Sequence, residues 1–348
     1  MSLVYVVSTG RSGSTMLSQI MHVHSEMLSL SEFWNVFMRH DSDLPTRDIP
    51  THEVSGDEYW QLITRCDPHT DGLAVVGIRL YQGARFDPAT GVPAICRILA
   101  PLTDDPDALY DQLALEVPTW PRRPVAKQCQ ALFDDLATRF GQEVIVERTG
   151  GSLPNVSVLH QQFPEARFVL LHRGGLDTAL SMSRQPEFRL AALKILSALG
   201  NTPSSKYPFF RGGLGTPEEL KELIEPPFDA ARFMSHPLPL SLFGWIWSEM
   251  TCAGISGMRE VPHGSWMSLR YERLLDDPEG ELTRLAEFIG VAPDRQWLRW
   301  SSRFIDRSRS GKAAAQLDPS DLAEVETFLA PGTEAYESLE SEHAVLVS

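Results

Sequence analysis

The feature that most constrains this chain lies at its N-terminus. Leu3 to Val7 is a short apolar run rich in β-branched residues, and Thr9-Gly10-Arg11-Ser12-Gly13 breaks it. Such a run, bounded by glycine, predicts a buried strand ending in a tight loop. Leu17, Ile20, Met21 and His24 then recur at the spacing of one helical face. Strand, Gly-rich loop and helix in this order open a phosphate-binding α/β unit. Glycine lets the backbone approach an anion closely, and the free N–H groups and dipole at a helix start favour negative charge there. Ser14 and Thr15 add hydroxyl donors, and Arg11 adds a fixed positive charge.

The loop departs from the nucleotide-triphosphatase pattern G-x-x-x-x-G-K-[ST], whose Lys reaches the β- and γ-phosphates. Ser14 stands where that Lys would be. The loop therefore suits one phosphate bearing a single transferable group better than a triphosphate with magnesium. A small-molecule kinase of the P-loop type stays an alternative, as does a non-catalytic nucleotide-binding module. A purely structural tight turn is the bland reading of the same residues.

Further strands are expected at Glu143 to Glu147, Phe168 to Leu171 and Trp266 to Tyr271. Helices are expected over Ala131 to Phe140, around Val156, Leu159 and Phe163, and from about Leu240 to Met258. Asp277-Pro278 reads as a helix start, with Leu282, Leu285, Ala286 and Ile289 as its buried stripe. Strands alternating with helices predict an α/β fold, a P-loop-like parallel sheet flanked by helices. Residues 35–140 show no sharp boundary. Residues 185–240 are dense in Pro and Gly and carry Phe188, Phe209, Phe210, Phe228 and Phe233, so they read as a helical or irregular insertion. No internal repeat is visible.

Composition narrows the function. The 348 residues include 43% apolar ones, enough for a sizeable core, and 31 Lys plus Arg against 46 Asp plus Glu give a net charge of −15. That balance disfavours nucleic acid as a partner, although a local Arg cluster can still hold one small anion. Cys66, Cys96, Cys129 and Cys252 form no C-x-x-C pair, so they are expected as buried free thiols rather than zinc ligands or disulfides. No stretch approaches the roughly 20 apolar residues of a membrane span, and the apolar start is too short for a signal peptide. A cytoplasmic location is expected.

A second anion signal follows the strand at Phe168 to Leu171. Arg173 stands at the strand end, where open α/β sheets place ligands, and Ser181 lies about two helical turns beyond it. Together with the first loop, this Arg-x7-Ser spacing resembles the two cofactor motifs of sulfotransferases that use 3′-phosphoadenosine 5′-phosphosulfate (PAPS). Leu269-Arg270-Tyr271-Glu272-Arg273-Leu274-Leu275 with Asp277-Pro278 resembles the RYEDLLxDP segment of that family, and Val146-Glu147-Arg148-Thr149 resembles its EKT segment. The likeness covers the ends and middle of the chain and is weak over 35–140 and 185–240. It is nearest to the bacterial group that shares features with tyrosylprotein sulfotransferases.

The resemblance implies one sulfotransferase domain over 1–348, with 35–140 and 185–240 shaping the acceptor pocket. It implies that Arg11, Ser12, Gly13, Ser14 and Thr15 hold the 5′-phosphosulfate, and that Arg173 and Ser181 bind the 3′-phosphate. Tyr271 would lie near the 3′-phosphate or the adenosine. Arg309, Ser310 and Lys312 would belong to a C-terminal loop closing over the cofactor. Arg11 and Arg148 would neutralise charge during transfer, with no metal required. Glu32 is the candidate general base, with His22, His24 and His172 as rivals. Two departures stand out: Gly174-Gly175 replaces the family's Asp-Pro, and Arg11 and Arg148 replace lysines, changing a point charge into a planar fork. Aromatics in the two variable regions point to an acceptor hydroxyl on a molecule with apolar surface, either a small molecule, a lipid or a carrier-bound metabolite. The oligomeric state is not read from the sequence.

Overall fold

The computed structural model describes residues 1–39, 46–47, 49–66, 85–86, 91–199, 216–224, 229–309 and 311–347. Its centre is a five-stranded sheet built from β1 (Ser2–Val7), β2 (Met27–Ser31), β3 (Val144–Arg148), β4 (Arg167–His172) and β5 (Trp266–Arg270), in the order β2-β3-β1-β4-β5. Every pairing is parallel. Alternation along β1 explains why both faces are covered. Leu3, Tyr5 and Val7 enter one buried cluster, while Val4 and Val6 enter another.

On the first face lie α2 (Val125–Phe140) and α3 (Val156–Gln162). Its aromatic centre is Tyr5, whose ring lies 5.5–5.7 Å from those of Trp34, Phe163 and Phe168. The second face is covered by α1 (Ser14–His22), α7 (Pro278–Ile289) and α8 (Arg295–Phe304). A third cluster joins α4 (Gly175–Ser183), α5 (Pro186–Leu199), α6 (Leu240–Met258) and α9 (Pro319–Val347). The strongest packing between any two elements is that of α6 on α9.

Several expectations need correction. Met27–Ser31 is a strand that the sequence reading did not include, and α1 ends at His22, before His24. Tyr271 opens a short helix instead of ending β5. Cys96 and Cys129 are buried, but Cys66 is exposed and Cys252 is half-buried, so burial of all four thiols fails. Within 185–240 the expected helical character holds, with α5 and the helices Pro217–Glu222 and Ala230–Ser235 packed into the third cluster. Phe209, Phe210 and Phe228 lie outside the described residues. Asp277 caps α7 as expected, accepting the Gly280 N–H at 3.0 Å.

Candidate active site

The C-terminal ends of parallel strands are where an open α/β sheet places its ligands. Here β1 runs into the Gly10–Thr15 loop, β2 into Glu32, β3 into Arg148, β4 into Arg173 and β5 into Tyr271. One edge of the sheet thus gathers all the motifs.

The loop is a cradle of unused donors. Gly10, Arg11 and Gly13 have φ of 80°, 58° and 88°, left-handed positions interrupted by Ser12, and such alternation can turn successive N–H groups into a concavity. A Cβ on Gly13 would come within 2.4 Å of the Tyr271 ring, so glycine is required there for space as well as for φ. No side chain caps α1. Among the described residues the N–H groups of Arg11, Ser12 and Gly13 and the hydroxyls of Ser14 and Thr15 make no hydrogen bond. Ser12 behaves differently: its buried hydroxyl donates to Gly10 O at 3.2 Å and lies 3.3 Å from Thr9 Oγ1. It props the loop and leaves its N–H toward the cradle.

The loop and the Arg-x7-Ser motif touch. Arg11 Nε donates to Ser181 Oγ at 3.2 Å, and Arg173 Nη1 donates to Arg11 O at 3.4 Å. The Arg173 guanidinium also lies over the Tyr271 ring, 4.8 Å from its centre, and 3.5 Å from Asp177 Oδ2. Gly174 N–H donates to Glu272 Oε1 at 2.9 Å. Gly175 explains the missing Pro of the family pattern, because a Cβ there would meet the Trp247 ring at 2.8 Å and Leu329 at 2.9 Å.

Glu32 and Arg148 form a partly buried ion pair at the ends of β2 and β3. The Glu32 carboxylate also accepts from Gly150 N–H at 3.2 Å and Asn35 Nδ2 at 2.8 Å. Its backbone N–H donates to Arg148 O at 2.8 Å. Arg11 and Glu32 are the two non-glycine residues at positive φ among the described residues, at 58° and 62°. Each such residue costs about 1–3 kcal/mol, and strain of this kind concentrates at functional sites.

Beneath this pair, Glu147 is 1% exposed and accepts from Phe33 N–H at 3.2 Å and from the Thr149 hydroxyl at 2.5 Å. Burial pushes its carboxyl up to about 8, with the Glu32 charge adding to the effect. An unfolded Glu titrates near 4.3, so between about 4 and 8 the folded chain holds the extra proton. Stability from this group is therefore full at acid pH and is lost as pH rises through about 8. Glu147→Gln should flatten the decline of Tm across that window in thermal melts. An unchanged slope would mean that Glu147 is ionised throughout.

Two residues near the site, Glu187 and Arg97, were not picked out from the sequence, and Phe188, singled out there only as an aromatic of the insertion, joins them. Phe188 lies against the loop, its ring tip 2.9 Å from where a Gly10 Cβ would be. Glu187 is exposed to solvent at the start of α5. Burial and the Glu32 charge raise its pKa, while Arg11 and Arg97 oppose the rise. It has no hydrogen-bond donor among the described residues. Its signal was available, since Pro186-Glu187 is a helix start with an acidic first turn.

The histidine rivals of Glu32 are placed elsewhere. His172 ends β4 against Tyr336, and burial pushes its pKa down to about 2, so it stays neutral. His24 is buried, with Nε2 3.0 Å from Ala292 O and its ring edge-on to Trp297. His22 lies at the far end of α1 from the loop.

Lys312 is exposed, Arg309 closes a 3-10 turn at Arg307–Arg309, and Ser310 lies outside the described residues. The flanking backbone is latched: Asp177 accepts from Gly311 N–H at 2.6 Å and Ala313 N–H at 3.0 Å. Since Asp177 also faces Arg173, one carboxylate joins the C-terminal segment to the strand-end arginine. Asp177→Ala should release this segment, and tryptic cleavage after Lys312 should become faster than in the parent protein. Equal cleavage rates would show that other contacts hold it.

The sulfotransferase family model matches residues 4–197, more than half of the chain. The chain belongs to the sulfotransferase family, and its coarse activity is that of a sulfotransferase. It is similar across most of its length to three solved structures. The sulfotransferase domain of the Synechococcus PCC 7002 olefin synthase shares 16% identity over 94% of both chains, with a TM-score of 0.45. The sulfotransferase domain of the curacin biosynthetic pathway shares 14% over 91% of this chain and 83% of that one, with a TM-score of 0.46. A sulfotransferase from Alicyclobacillus acidocaldarius shares 15% over 97% and 95%, with a TM-score of 0.42. No curated protein matches the sequence. Among the described residues, no helix is long and apolar enough to cross a membrane.

Proposed function

We propose that this protein transfers the sulfuryl group of PAPS to an acceptor hydroxyl and releases adenosine 3′,5′-bisphosphate. The observation that carries the reading is the contact between the donor-lined loop and the Arg173–Ser181 motif. The contact supports adjacent sites for the separate 5′- and 3′-phosphoryl groups of one nucleotide. The Arg11–Thr15 backbone and the hydroxyls of Ser14 and Thr15 take the 5′-phosphosulfate. Arg173 and Ser181 take the 3′-phosphate, with Tyr271 beside them. Arg309, Ser310 and Lys312 close from the C-terminal side.

In the reaction the acceptor oxygen forms a bond to sulfur as the bond from sulfur to the phosphate oxygen breaks. Arg11 and Arg148 stabilise the charge that develops on the departing phosphate, so catalysis is mostly positioning and electrostatics. Glu32 takes the acceptor proton, oriented by Arg148, Gly150 and Asn35. Glu187 lines the acceptor side of the same cleft. The regions 35–140 and 185–240 shape the acceptor pocket. Phe188 on the loop favours an acceptor with apolar surface, whether a small molecule, a lipid or a carrier-bound metabolite. The free cysteines suit the cytoplasm.

Calorimetric titration tests the cofactor. Adenosine 3′,5′-bisphosphate should bind without metal and more tightly than adenosine 5′-monophosphate. A preference for ATP with magnesium would instead favour a kinase, against which Ser14 stands at the position of the missing loop Lys.

A further inference from the structure

Helix α8 reads Arg295-Gln296-Trp297-Leu298-Arg299-Trp300-Ser301-Ser302-Arg303-Phe304. At helical spacing Arg295, Arg299 and Arg303 form one stripe, Trp300 and Phe304 an adjacent one, and Trp297 and Ser301 the face behind them. The rear face is firmly seated. Trp297 is 4% exposed, donates from Nε1 to Ile20 O at 2.8 Å and meets His24 edge-on, while Asp294 caps the helix start. The outer faces are thus displayed on a fixed support.

That display is unusual for this protein. Arg295, Arg299 and Arg303 are all exposed, and among the described residues none has an ion pair or hydrogen bond. Several other surface arginines are engaged, Arg122 with Glu58, Arg139 with Asp135, Arg259 with Glu342 and Arg284 with Glu281, and although Arg273 and Arg307 are also exposed without a partner, three such arginines share one stripe only on α8 among the described residues. Trp300 and Phe304, 38% and 40% exposed, are the two aromatics among the exposed large apolar side chains of the described residues. Their rings stack on each other at 4.9 Å and 11°. An unneutralised cationic stripe on a chain of net charge −15 points to an anionic partner.

We propose that the outer face of α8 docks on an anionic lipid headgroup surface. Guanidinium groups beside aromatic rings match such an interface, with charges at the phosphates and rings at the headgroup–acyl boundary. The acidic remainder of the surface does not prevent docking, because charges beyond about 8 Å are largely screened at physiological salt. The helix spans only about 15 Å, so binding is reversible and salt-sensitive. The inference is independent of the cofactor reading, and its test needs no turnover.

The test is co-sedimentation of the full chain with phosphatidylcholine vesicles, with and without phosphatidylglycerol. Binding should require phosphatidylglycerol, fall at high salt and blue-shift the tryptophan emission. The triple variant Arg295→Glu, Arg299→Glu, Arg303→Glu should lose affinity by at least about tenfold. Trp300→Ser with Phe304→Ser should weaken binding yet keep the preference for anionic vesicles. Unchanged thermal midpoints would show that both variants fold. Three results would each overturn the proposal: equal binding to both vesicle types, parent-like binding by the triple variant, or no vesicle binding at all. Retention of an acidic protein or a single-stranded oligonucleotide by α8, without vesicle binding, would reassign the face to that partner.

Discussion

Arg173→Ala should weaken binding of adenosine 3′,5′-bisphosphate by about 100-fold or more. A hydrogen bond to a charged group contributes about 1.5–3 kcal/mol, and a guanidinium fork can make two of them to one phosphate. The side chain is also a strut, since it donates to Arg11 O and lies over Tyr271. Calorimetry with two ligands separates these roles. If Arg173 acts on the 3′-phosphate, affinity for adenosine 5′-monophosphate should change little, because that ligand lacks the group. An equal loss for both ligands would mean that removing the strut collapses the Arg11 loop. Arg173→Lys should fall between parent and Ala, since a point charge cannot reproduce the fork.

The arrangement behind this prediction was only half legible in the sequence. The loop and Arg173–Ser181 were each visible as local patterns, because each is a short run beside a strand end. Their contact was not visible, since Arg173 and Arg11 are 162 positions apart and only the sheet order brings β1 and β4 together. β2 was missed for a different reason. Its sequence Met-Leu-Ser-Leu-Ser breaks the apolar run with serines, yet Ser29 donates to Ser18 O at 3.1 Å and Ser31 lies 2.7 Å from Ser18 Oγ. Those hydroxyls are satisfied by α1, a partner that hydropathy cannot register. Glu187 was missed because the Pro and Gly density of 185–240 hid a regular helix start. The Gly174-Gly175 departure could be seen but not explained until Trp247 and Leu329 were found packed against Gly175.

The two strained residues connect fold to chemistry. Arg11 and Glu32 stand at the ends of β1 and β2, on either side of β3, and both hold left-handed φ without being glycine. Neither conformation follows from local preference, since a Gly at either place would relax it. What holds Glu32 is specific: its N–H bonds to Arg148 O and its carboxylate pairs with the Arg148 side chain. Backbone and side chain of one β3 residue thus fix the residue that follows β2, and the outcome is a carboxylate with a set direction.

Glu32→Gln should therefore lower kcat by about 10²–10⁴-fold, the usual range for removing a positioned proton acceptor. Binding of adenosine 3′,5′-bisphosphate should change little, because its proposed contacts are the Arg11 loop, Arg173 and Ser181. Glu187→Gln is the decisive comparison. Its carboxylate is near enough to feel the Glu32 and Arg11 charges, its pKa is raised by burial and by Glu32, and no donor among the described residues engages it. If Glu32 takes the proton, Glu187→Gln removes only a nearby like charge. The kcat should then stay within about tenfold of the parent value. If instead Glu187→Gln shows the large loss and Glu32→Gln the small one, the proton passes to the unengaged carboxylate. Glu32 is then the ion-pair partner that positions Arg148 for the departing phosphate.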